Sequence, residues 1–429
     1  MNPFRYGWLG LVLIIGIARA ESVPPLTLER AFTEVERHNP SLAAIRARYQ
    51  ALQAIPDQAG SLPDPEISFN ALNLPVDSFD IPQEAMTQLQ LGLSQKFPFP
   101  GKLKLRAEAA EWEARAAGDD VEEWRLRLRR DVAVVWWRLF YLDRALEIVR
   151  LNQDLLRQFV EIAQTKYTVG QGLQQDVLLA QLELSRLLDR ELQLQGLRGQ
   201  EAARLNALLD QPADAPVTLP RSVSRTLPEP AAESVLFTQA ERSRPLLARV
   251  RKQIEAAKTR VALAKKDFFP DFKLGAAHGF RSGQNPDGSS RTDFLTLRLS
   301  MNVPLYFATK QARAVDQRRS ELIRERFQWQ DTWNRVRAEI SAILADYRRA
   351  RNQVVLFDQG IIPQARQTVA SMLAGYQVGK VDFLNLVSSQ ITLYNYEIQY
   401  WKTLAEARQA LAKLEAAVGR PVASSQGAQ

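Results

Sequence analysis

The sequence predicts an α+β membrane protein, mostly α-helical, with a long coiled-coil-like helical tunnel and four β-strands per chain. Three observations support this fold class. Long segments without proline carry apolar residues in alternating steps of three and four. Two pairs of short segments alternate apolar and polar residues, as strands do. The whole order of segments occurs twice along the chain, which indicates an internal duplication.

Composition excludes several classes of protein. The chain has 429 residues, a net charge of +8, 24% charged residues and no cysteine. Such a charged fraction argues against both a disordered chain and a bundle of membrane-spanning helices. Without cysteine there are no disulfides, thiolate metal sites or cysteine nucleophiles. Two histidines, His38 and His278, do not by themselves form a metal or catalytic cluster. No sequence motif predicts an enzyme or a cofactor.

The N-terminus predicts export. Residues 1–20 have a basic start, an apolar run over 8–17 and the sequence Ala18-Arg19-Ala20, which is typical of a cleaved signal peptide. The alternative is a membrane anchor, but the run is shorter than the ~20 residues that span a bilayer. No later segment has an uncharged apolar stretch of that length.

Matching landmarks define the two repeats. The run Tyr167-Thr168-Val169-Gly170 has a counterpart in Tyr376-Gln377-Val378-Gly379, and Phe97-Pro98 has one in Val303-Pro304, each pair roughly 200 residues apart. These landmarks predict four regions after the N-terminal segment: a first repeat over 21–210, a Pro-rich connector over 211–232, a second repeat over 233–419 and a disordered tail over 420–429.

The first repeat begins with a predicted helix over 27–57. Thr27 is its expected N-cap, and Glu29 lies in its first turn, where a carboxylate is favourable. Pro56 and the following Pro63-Asp64-Pro65 are expected to end this helix.

Four segments are predicted to be strands, at 67–71, 88–94, 272–276 and 295–303. In the second and fourth, leucines occupy one face and polar residues occupy the other. In lipid, the apolar face needs no cover and the polar face lines water. The alternative is a small soluble sandwich, which would need a covering layer that no neighbouring amphipathic segment supplies.

Long helices follow each strand pair. The first is predicted over 103–167, about 98 Å at ~1.5 Å per residue, and its counterpart over 311–376, with a kink at Pro363. Glycine turns then lead into return helices over 173–209 and 382–418. Helices of this length need neighbouring helices along their whole course.

Four strands do not close a barrel, and open edges in lipid leave backbone groups unpaired. Two chains would supply eight strands, and the side chains inside such a barrel would fill its interior. Three chains would supply twelve strands, enough for an aqueous lumen. The sequence thus favours a homotrimer in which the helices continue the barrel as a tube.

Local runs in both repeats carry a family resemblance. They are Leu28-Glu29-Arg30-Ala31 with Asn39-Pro40, Gln95-Lys96-Phe97-Pro98-Phe99-Pro100-Gly101-Lys102, and Gly375-Tyr376-Gln377-Val378-Gly379 with Ser389-Gln390 and Leu393-Tyr394-Asn395. With the duplicated order of elements, they make residues 27–418 resemble the TolC-type outer-membrane efflux family. The run at 97–102 resembles its heavy-metal, CzcC-like branch.

The resemblance implies a homotrimeric channel with a 12-stranded β-barrel in the outer-membrane lipid and a helical tunnel in the periplasm. Such a channel is the passive exit duct of a tripartite pump for small molecules or metal ions. Its implied partners are a periplasmic adaptor, or membrane-fusion protein, and an inner-membrane transporter, here expected to be of the RND type. No enzyme activity, cofactor, bound metal or nucleic acid is implied.

The resemblance also assigns site residues. The adaptor-contacting tips would include Val169, Gly170, Gly172, Val378, Gly379 and Lys380, although any helical hairpin needs such turns. The tunnel gate would involve Tyr376, Asp176, Asp382, Asn385 and Ser388.

The gate residues depart from the family pattern. Asn385 and Ser388 stand where the family has acidic residues, which attract cations to the narrow end. Asp382 has two interpretations, a three-fold carboxylate ring or a helix N-cap. A contact between Tyr376 and Asp176 would hold the gate shut.

Two other functional classes compete with the duct. One is a periplasmic coiled-coil adaptor or scaffold, which usually has one hairpin rather than two matched repeats with strands. The other is a basic coiled-coil nucleic-acid binder, based on arginines at 125–130 and 348–351. Acidic neighbours such as Glu122 and Glu123 indicate that these arginines lie on solvated helix faces instead. Export also removes the chain from most nucleic acid.

Overall fold

A computed structural model describes residues 24–422, which form α-helices and one four-stranded antiparallel sheet. The predicted signal peptide and residues 423–429 of the predicted tail lie outside the described residues. Within 24–422, none of the helices combines the length and apolar character needed to cross a membrane.

Three short helices, rather than the single predicted one over 27–57, begin the described chain. They are α1 (Leu28–His38), α2 (Pro40–Gln53) and α3 (Ile55–Gly60). The hydroxyl of Thr27 accepts a hydrogen bond from the N–H of Arg30 at 3.2 Å, as expected of an N-cap. The prediction of one continuous helix is wrong.

Asn39 causes the first break. Its Oδ1 accepts from the N–H of Leu42 at 3.1 Å and so caps α2, while its Nδ2 donates to the carbonyl of Leu208 at 3.0 Å. The second break, at Ala54, comes just before Pro56, which has no N–H to donate to the carbonyl of residue 52; Pro56 itself lies in the first turn of α3, where its missing N–H costs nothing. The capping residues are present in the sequence, but the apolar periodicity continues across them and by itself predicts one helix.

The sheet has the strand order β1-β2-β3-β4. The strands are β1 (Glu66–Leu72), β2 (Gln88–Phe97), β3 (Phe272–Phe280) and β4 (Phe294–Met301). Strands from the two repeats meet at the centre, where Leu93 of β2 lies opposite Ala276 of β3 and Leu91 opposite His278. In the described chain, β1 and β4 are edge strands with one neighbour each.

The first repeat continues with a very long helix. Helix α4 (Lys102–Thr168) has 67 residues, which corresponds to about 100 Å. Helix α5 (Gln174–Leu208) returns beside it. The second repeat contains α6 (Glu233–Ser243), α7 (Pro245–Lys266), α8 (Gln311–Leu356), α9 (Ile362–Gln377) and α10 (Phe383–Val418).

Helices α8 and α9 are joined by one turn of π-helix over Phe357–Ile361. Pro363 follows directly; its ring has no N–H and would clash with the carbonyl of residue 359 in a regular helix. The wider turn relieves this conflict, and the N–H of Ile362 bonds to the carbonyl of Phe357, five residues back. The expected disturbance at Pro363 is thus a π-turn that keeps the helix continuous.

The helices share apolar cores along their length. Midway along α4, Trp136, Trp137 and Phe140 pack in one core with Trp401 of α10. The indole N–H of Trp136 donates to the carbonyl of Leu26 at 2.9 Å. These buried aromatic side chains lock α4 to α10 and to the start of the described chain.

The chain between α5 and α6 is largely irregular but is held on the helices. Val217 and Leu219 are buried there. The guanidinium of Arg408 on α10 donates to the carbonyls of Ser224 and Thr226 at 2.7 and 2.8 Å. This segment therefore packs against the surface of the helices.

Candidate functional site

Two helical hairpin tips have the same backbone geometry. The first joins α4 to α5 through Gly170, and the second joins α9 to α10 through Gly379, each with φ of 74°. At the first tip, the N–H of Gly170 bonds to the carbonyl of Tyr167 and the N–H of Gln171 to that of Lys166. The second tip repeats this pair of bonds. This is the Schellman motif, in which the left-handed residue is usually glycine.

Most of the predicted tip residues are exposed. Val169 is 62% exposed and Val378 is 68% exposed, although both side chains are apolar. Lys380 is also exposed. Gly172 is not left-handed; instead, a Cβ there would lie 3.0 Å from the Cβ of Lys166, so glycine permits the turn to pack closely on the last turn of α4. Each tip thus presents an apolar side chain beside a glycine.

Tyr376 links the two tips. Its ring packs on Phe383, with centroids 5.4 Å apart, and the ammonium of Lys166 lies 4.0 Å from its centroid. The same ammonium donates to the backbone carbonyl of Tyr376 at 3.5 Å. Lys166 belongs to α4 and Tyr376 to α9, so this cation–π contact joins one repeat to the other.

The structure brings Asp176 close to Tyr376 without joining them. Burial raises the pKa of the Tyr376 hydroxyl, and the negative charge of Asp176 raises it further. Among the hydrogen bonds of residues 24–422, none connects this hydroxyl to that carboxylate. The contact between them as a gate latch therefore stays a prediction.

Asp382, Asn385 and Ser388 lie along one exposed side of the first turns of α10. Asp382 occupies the N-cap position, and its carbonyl accepts from the N–H of Asn385 at 3.1 Å. Its carboxylate makes no capping hydrogen bond. The opposite side of α10 is buried, where Gln390 donates to Asn152 of α4 at 2.8 Å. The carboxylate of Asp382 is therefore exposed at the start of α10 and is not used as a cap.

The sheet has one strongly apolar face. Its side chains are large and exposed, with values such as 81% for Phe69, 57% for Leu93 and 76% for Leu297. From β1 to β4, the face consists of Ile67 and Phe69, Leu89, Leu91 and Leu93, Leu274 and Phe280, and Leu295, Leu297, Leu299 and Met301. An exposed apolar surface of this extent marks contact with lipid or another apolar partner.

The other face of the sheet is polar and concave. It forms a shallow cavity whose polar lining includes Ser68, Asn70, Gln90, Thr296 and Ser300. The amide of Gln90 lies 3.4 Å from the hydroxyl of Thr296, across the intervening β3. The two faces predicted from alternation are thus the two faces of one sheet.

Two site features were missed in the sequence. Lys166 was not singled out, because its partner Tyr376 is distant in the chain and only folding brings them together. The charged residues on the polar face of the sheet were also not assigned a role. The described residues contain no group of three or more His, Asp or Glu side chains placed to hold a metal ion.

Comparison with known proteins identifies the family. The model of the family described as outer membrane efflux protein matches residues 31–211 and 236–420. The chain is also 21% identical over 411 residues to the cobalt-zinc-cadmium resistance protein CzcC of Cupriavidus metallidurans, covering 93% of this chain and 91% of that protein. The predicted resemblance to the TolC-type efflux family is confirmed.

Solved structures share the fold. The outer membrane protein VceC from Vibrio cholerae superimposes with a TM-score of 0.76 at 21% identity, over 92% of this chain and 96% of its own. CusC gives 0.76 at 16% identity, over 92% and 93%, and the outer-membrane channel OprN gives 0.76 at 17%, over 91% and 89%. The predicted fold class and outer-membrane location are confirmed. The chain is an outer-membrane protein and belongs to the outer membrane efflux protein family.

Proposed function

We propose that three copies of this chain form the passive exit duct of an efflux pump. The observation that carries the proposal is the four-stranded sheet with an exposed apolar face, a concave polar face and two open edges. In the outer membrane, the apolar face meets lipid and the polar face lines water. The helices extend this lumen into the periplasm as a tunnel, and the protein conducts its cargo without catalysing a reaction.

The open edges support a trimer. In lipid, the unpaired N–H and C=O groups of β1 and β4 would each cost several kcal/mol. Pairing β4 of one copy with β1 of the next satisfies them and closes a ring. Three copies give twelve strands and an aqueous lumen, whereas the eight strands of two copies would leave little room beyond their own side chains.

The hairpin tips fit a docking role in a tripartite pump. Val169 and Val378 expose apolar side chains at the end of the molecule far from the sheet. We infer that these tips contact a periplasmic adaptor, which joins the duct to an inner-membrane transporter of the RND type. The name of the relative CzcC, a cobalt-zinc-cadmium resistance protein, favours metal ions among the cargo of small solutes.

The gate lies at the same end. We infer that Asp382, with Asn385 and Ser388 beside it, faces the tunnel, because this side of α10 is exposed in the single chain. Three copies of Asp382 would form a carboxylate ring that attracts cations. Tyr376, held by Lys166 and close to Asp176, would restrain the movement of the tips.

Reconstitution tests the duct itself. The processed protein, purified in detergent, is expected to have the mass of a trimer and to form conducting pores in planar lipid bilayers. A water-soluble monomer that forms no pores would refute the proposal and would favour a periplasmic scaffold instead.

Two substitutions test the gate in the same bilayers. Asp382→Asn is expected to weaken block by multivalent cations, while Asp382→Glu retains it, because only the first removes the ring of charge. Tyr376→Phe keeps the ring contacts with Lys166 and Phe383, and it is expected to raise the single-channel conductance by removing the proposed contact between the hydroxyl and Asp176. Unchanged block, or unchanged conductance, would remove the corresponding assignment and leave the duct intact.

Cross-linking tests the tip assignment. A photo-reactive amino acid in place of Val378 is expected to capture the adaptor in intact cells. The control is the same amino acid in place of Leu151, which is 64% exposed on α4 and so similar in exposure, but lies away from the tips. Equal capture at both positions would contradict docking through the tips.

A further inference from the structure

The charges on the polar face of the sheet are unevenly balanced. Lys273 forms an ion pair of 2.6 Å with Glu66, and Lys96 lies 3.7 Å from the carboxylate of Asp271. Both lysines thus have a carboxylate partner. Arg298 takes part in none of the ion pairs or side-chain hydrogen bonds found among residues 24–422, and its side chain is exposed. One full positive charge per chain therefore remains on this face.

The surroundings of Arg298 leave its guanidinium accessible. It lies opposite Gly275 of β3, which lies opposite Ser94 of β2. Its neighbours on the same face of β4 are Thr296 and Ser300, which are also small. The row ends on β1 at Glu66, which is turned to Lys273, so the two residues nearest the guanidinium in this row, Gly275 and Ser94, are small. All of these residues belong to the lining of the concave cavity.

The level of Arg298 along the strands is well defined. Strand β4 begins at Phe294 beside the loop over 281–293 and ends at Met301 near the start of the helical part. Arg298 is the fifth of its eight residues, so it lies in the middle of the strand. In a closed ring of three sheets, three copies of Arg298 would stand at one level of the lumen.

We propose that Arg298 forms a ring of three positive charges that makes the barrel lumen favour anions and oppose free cations. The proposal rests on the trimeric channel proposed above and adds a specificity-determining residue to it. Rings of arginine or lysine select anions in other pores because the ring of positive charge attracts anions and repels cations at that level of the lumen. Cargo with negative charge, including anionic complexes of metals, would pass this level more readily than bare cations.

One competing arrangement is a contact between subunits. Arg298 lies on the edge strand β4, which in a trimer would adjoin β1 of the next copy. Glu66 is the carboxylate of β1 on this face, but within its own chain it is already paired with Lys273. The ring is therefore favoured over an ion pair across the subunit boundary, and the two make different predictions.

Reversal potentials in planar bilayers with asymmetric KCl test the ring. Arg298→Gln is expected to lower the permeability ratio of chloride to potassium about twofold or more, and Arg298→Glu to lower it further, because the local ion concentration follows the charge. Arg298→Lys is expected to keep the wild-type ratio. Arg335→Gln, which removes an arginine paired with Asp331 on α8, serves as a matched control without effect.

Three outcomes separate the possibilities. If the Arg298→Glu pore conducts with the wild-type ratio, the ring is refuted while the duct stands. If Arg298→Gln instead loses the trimer in detergent and Arg298→Lys restores it, the arginine is a subunit contact and the ring is likewise refuted. If the wild-type protein itself gives no conductance, the duct is refuted, and the ring with it.

Discussion

A buried ammonium connects the sheet to the helices. Lys102, the first residue of α4, has a side chain only 4% exposed. Its Nζ lies 2.8 Å from Asp271, just before β3, and 3.3 Å from Asp267, just after α7. The same carboxylate oxygen of Asp271 accepts from the N–H of Phe99 at 2.9 Å. We expect this cluster to hold the start of α4 against the sheet.

The structure allows the effect of Asp271→Asn to be estimated. The amide oxygen of asparagine still accepts from Lys102 and Phe99, so the change removes charge rather than hydrogen bonds. Hydrogen bonds to charged groups contribute about 1.5–3 kcal/mol and neutral ones about 0.5–1.5. The difference, about 1–1.5 kcal/mol, is the expected loss of local stability, and it corresponds to a factor of about 5–13 in local opening.

Amide hydrogen exchange followed by mass spectrometry measures this loss directly. In Asp271→Asn, peptides that cover the start of α4 and of β3 are expected to exchange about 5–13-fold faster than in the wild type. The matched control is Asp267→Asn. This partner of Lys102 is 49% exposed, so its loss is expected to cost less than about 1 kcal/mol. Equal effects of the two substitutions would refute the assignment of Asp271 as the principal partner.

The same interaction predicts a pH dependence. Burial alone would raise the pKa of Asp271, but hydrogen bonds from Lys102 and the N–H of Phe99, with the charges of Lys102 and Lys96, hold that pKa below its ordinary value of 3.8. The stabilisation is therefore complete above about pH 3.8 and is lost as the pH falls through the lower folded-state pKa. Asp271→Asn is expected to lack this acid-dependent loss of protection, and an identical pH profile would contradict the explanation.

Two further substitutions test local features. Gly379→Ala is expected to destabilise the second tip by about 1–2 kcal/mol because φ there is 74°. Gly199→Ala, in an open part of α5, should stabilise its helix by about 0.5–1 kcal/mol. Amide hydrogen exchange that becomes faster, or slower, around both substitutions would contradict this reasoning. Tyr347→Phe should lower the free energy of unfolding by about 1–3 kcal/mol, since it removes a buried hydroxyl that donates to the carbonyl of Pro228 at 2.5 Å. Burial raises the pKa of Tyr347 to about 12, so thermal unfolding should show the same difference from pH 6 to 9.

The sequence predicted the regular elements well where local signals agree. The helix expected over 103–167 is α4, Lys102–Thr168, because no proline interrupts its apolar repeat and a glycine turn ends it. The strands and their faces followed from alternation with a period of two, which no helix satisfies. Thr27, Gly170 and Gly379 have the cap and turn geometry that their residue types suggested.

The first helix shows why other features were not predictable. Its break depends on Asn39, whose side chain both caps α2 and bonds to the carbonyl of Leu208, at the end of α5. An Asn-Pro pair is compatible with a break, but a periodic apolar pattern on both sides is equally compatible with continuation. The tertiary hydrogen bond decides between them.

The sequence by itself determined the duplicated order of elements, the two faces of each strand and the family, because these follow from spacing and residue type along the chain. Only the tertiary structure decided which charges are paired: Lys102 with Asp271, Lys166 over Tyr376, and Lys273 with Glu66, while Arg298 stays free among the described residues. Electrostatic interactions act across space between residues far apart in sequence, and their strength depends on burial, so no local pattern encodes them.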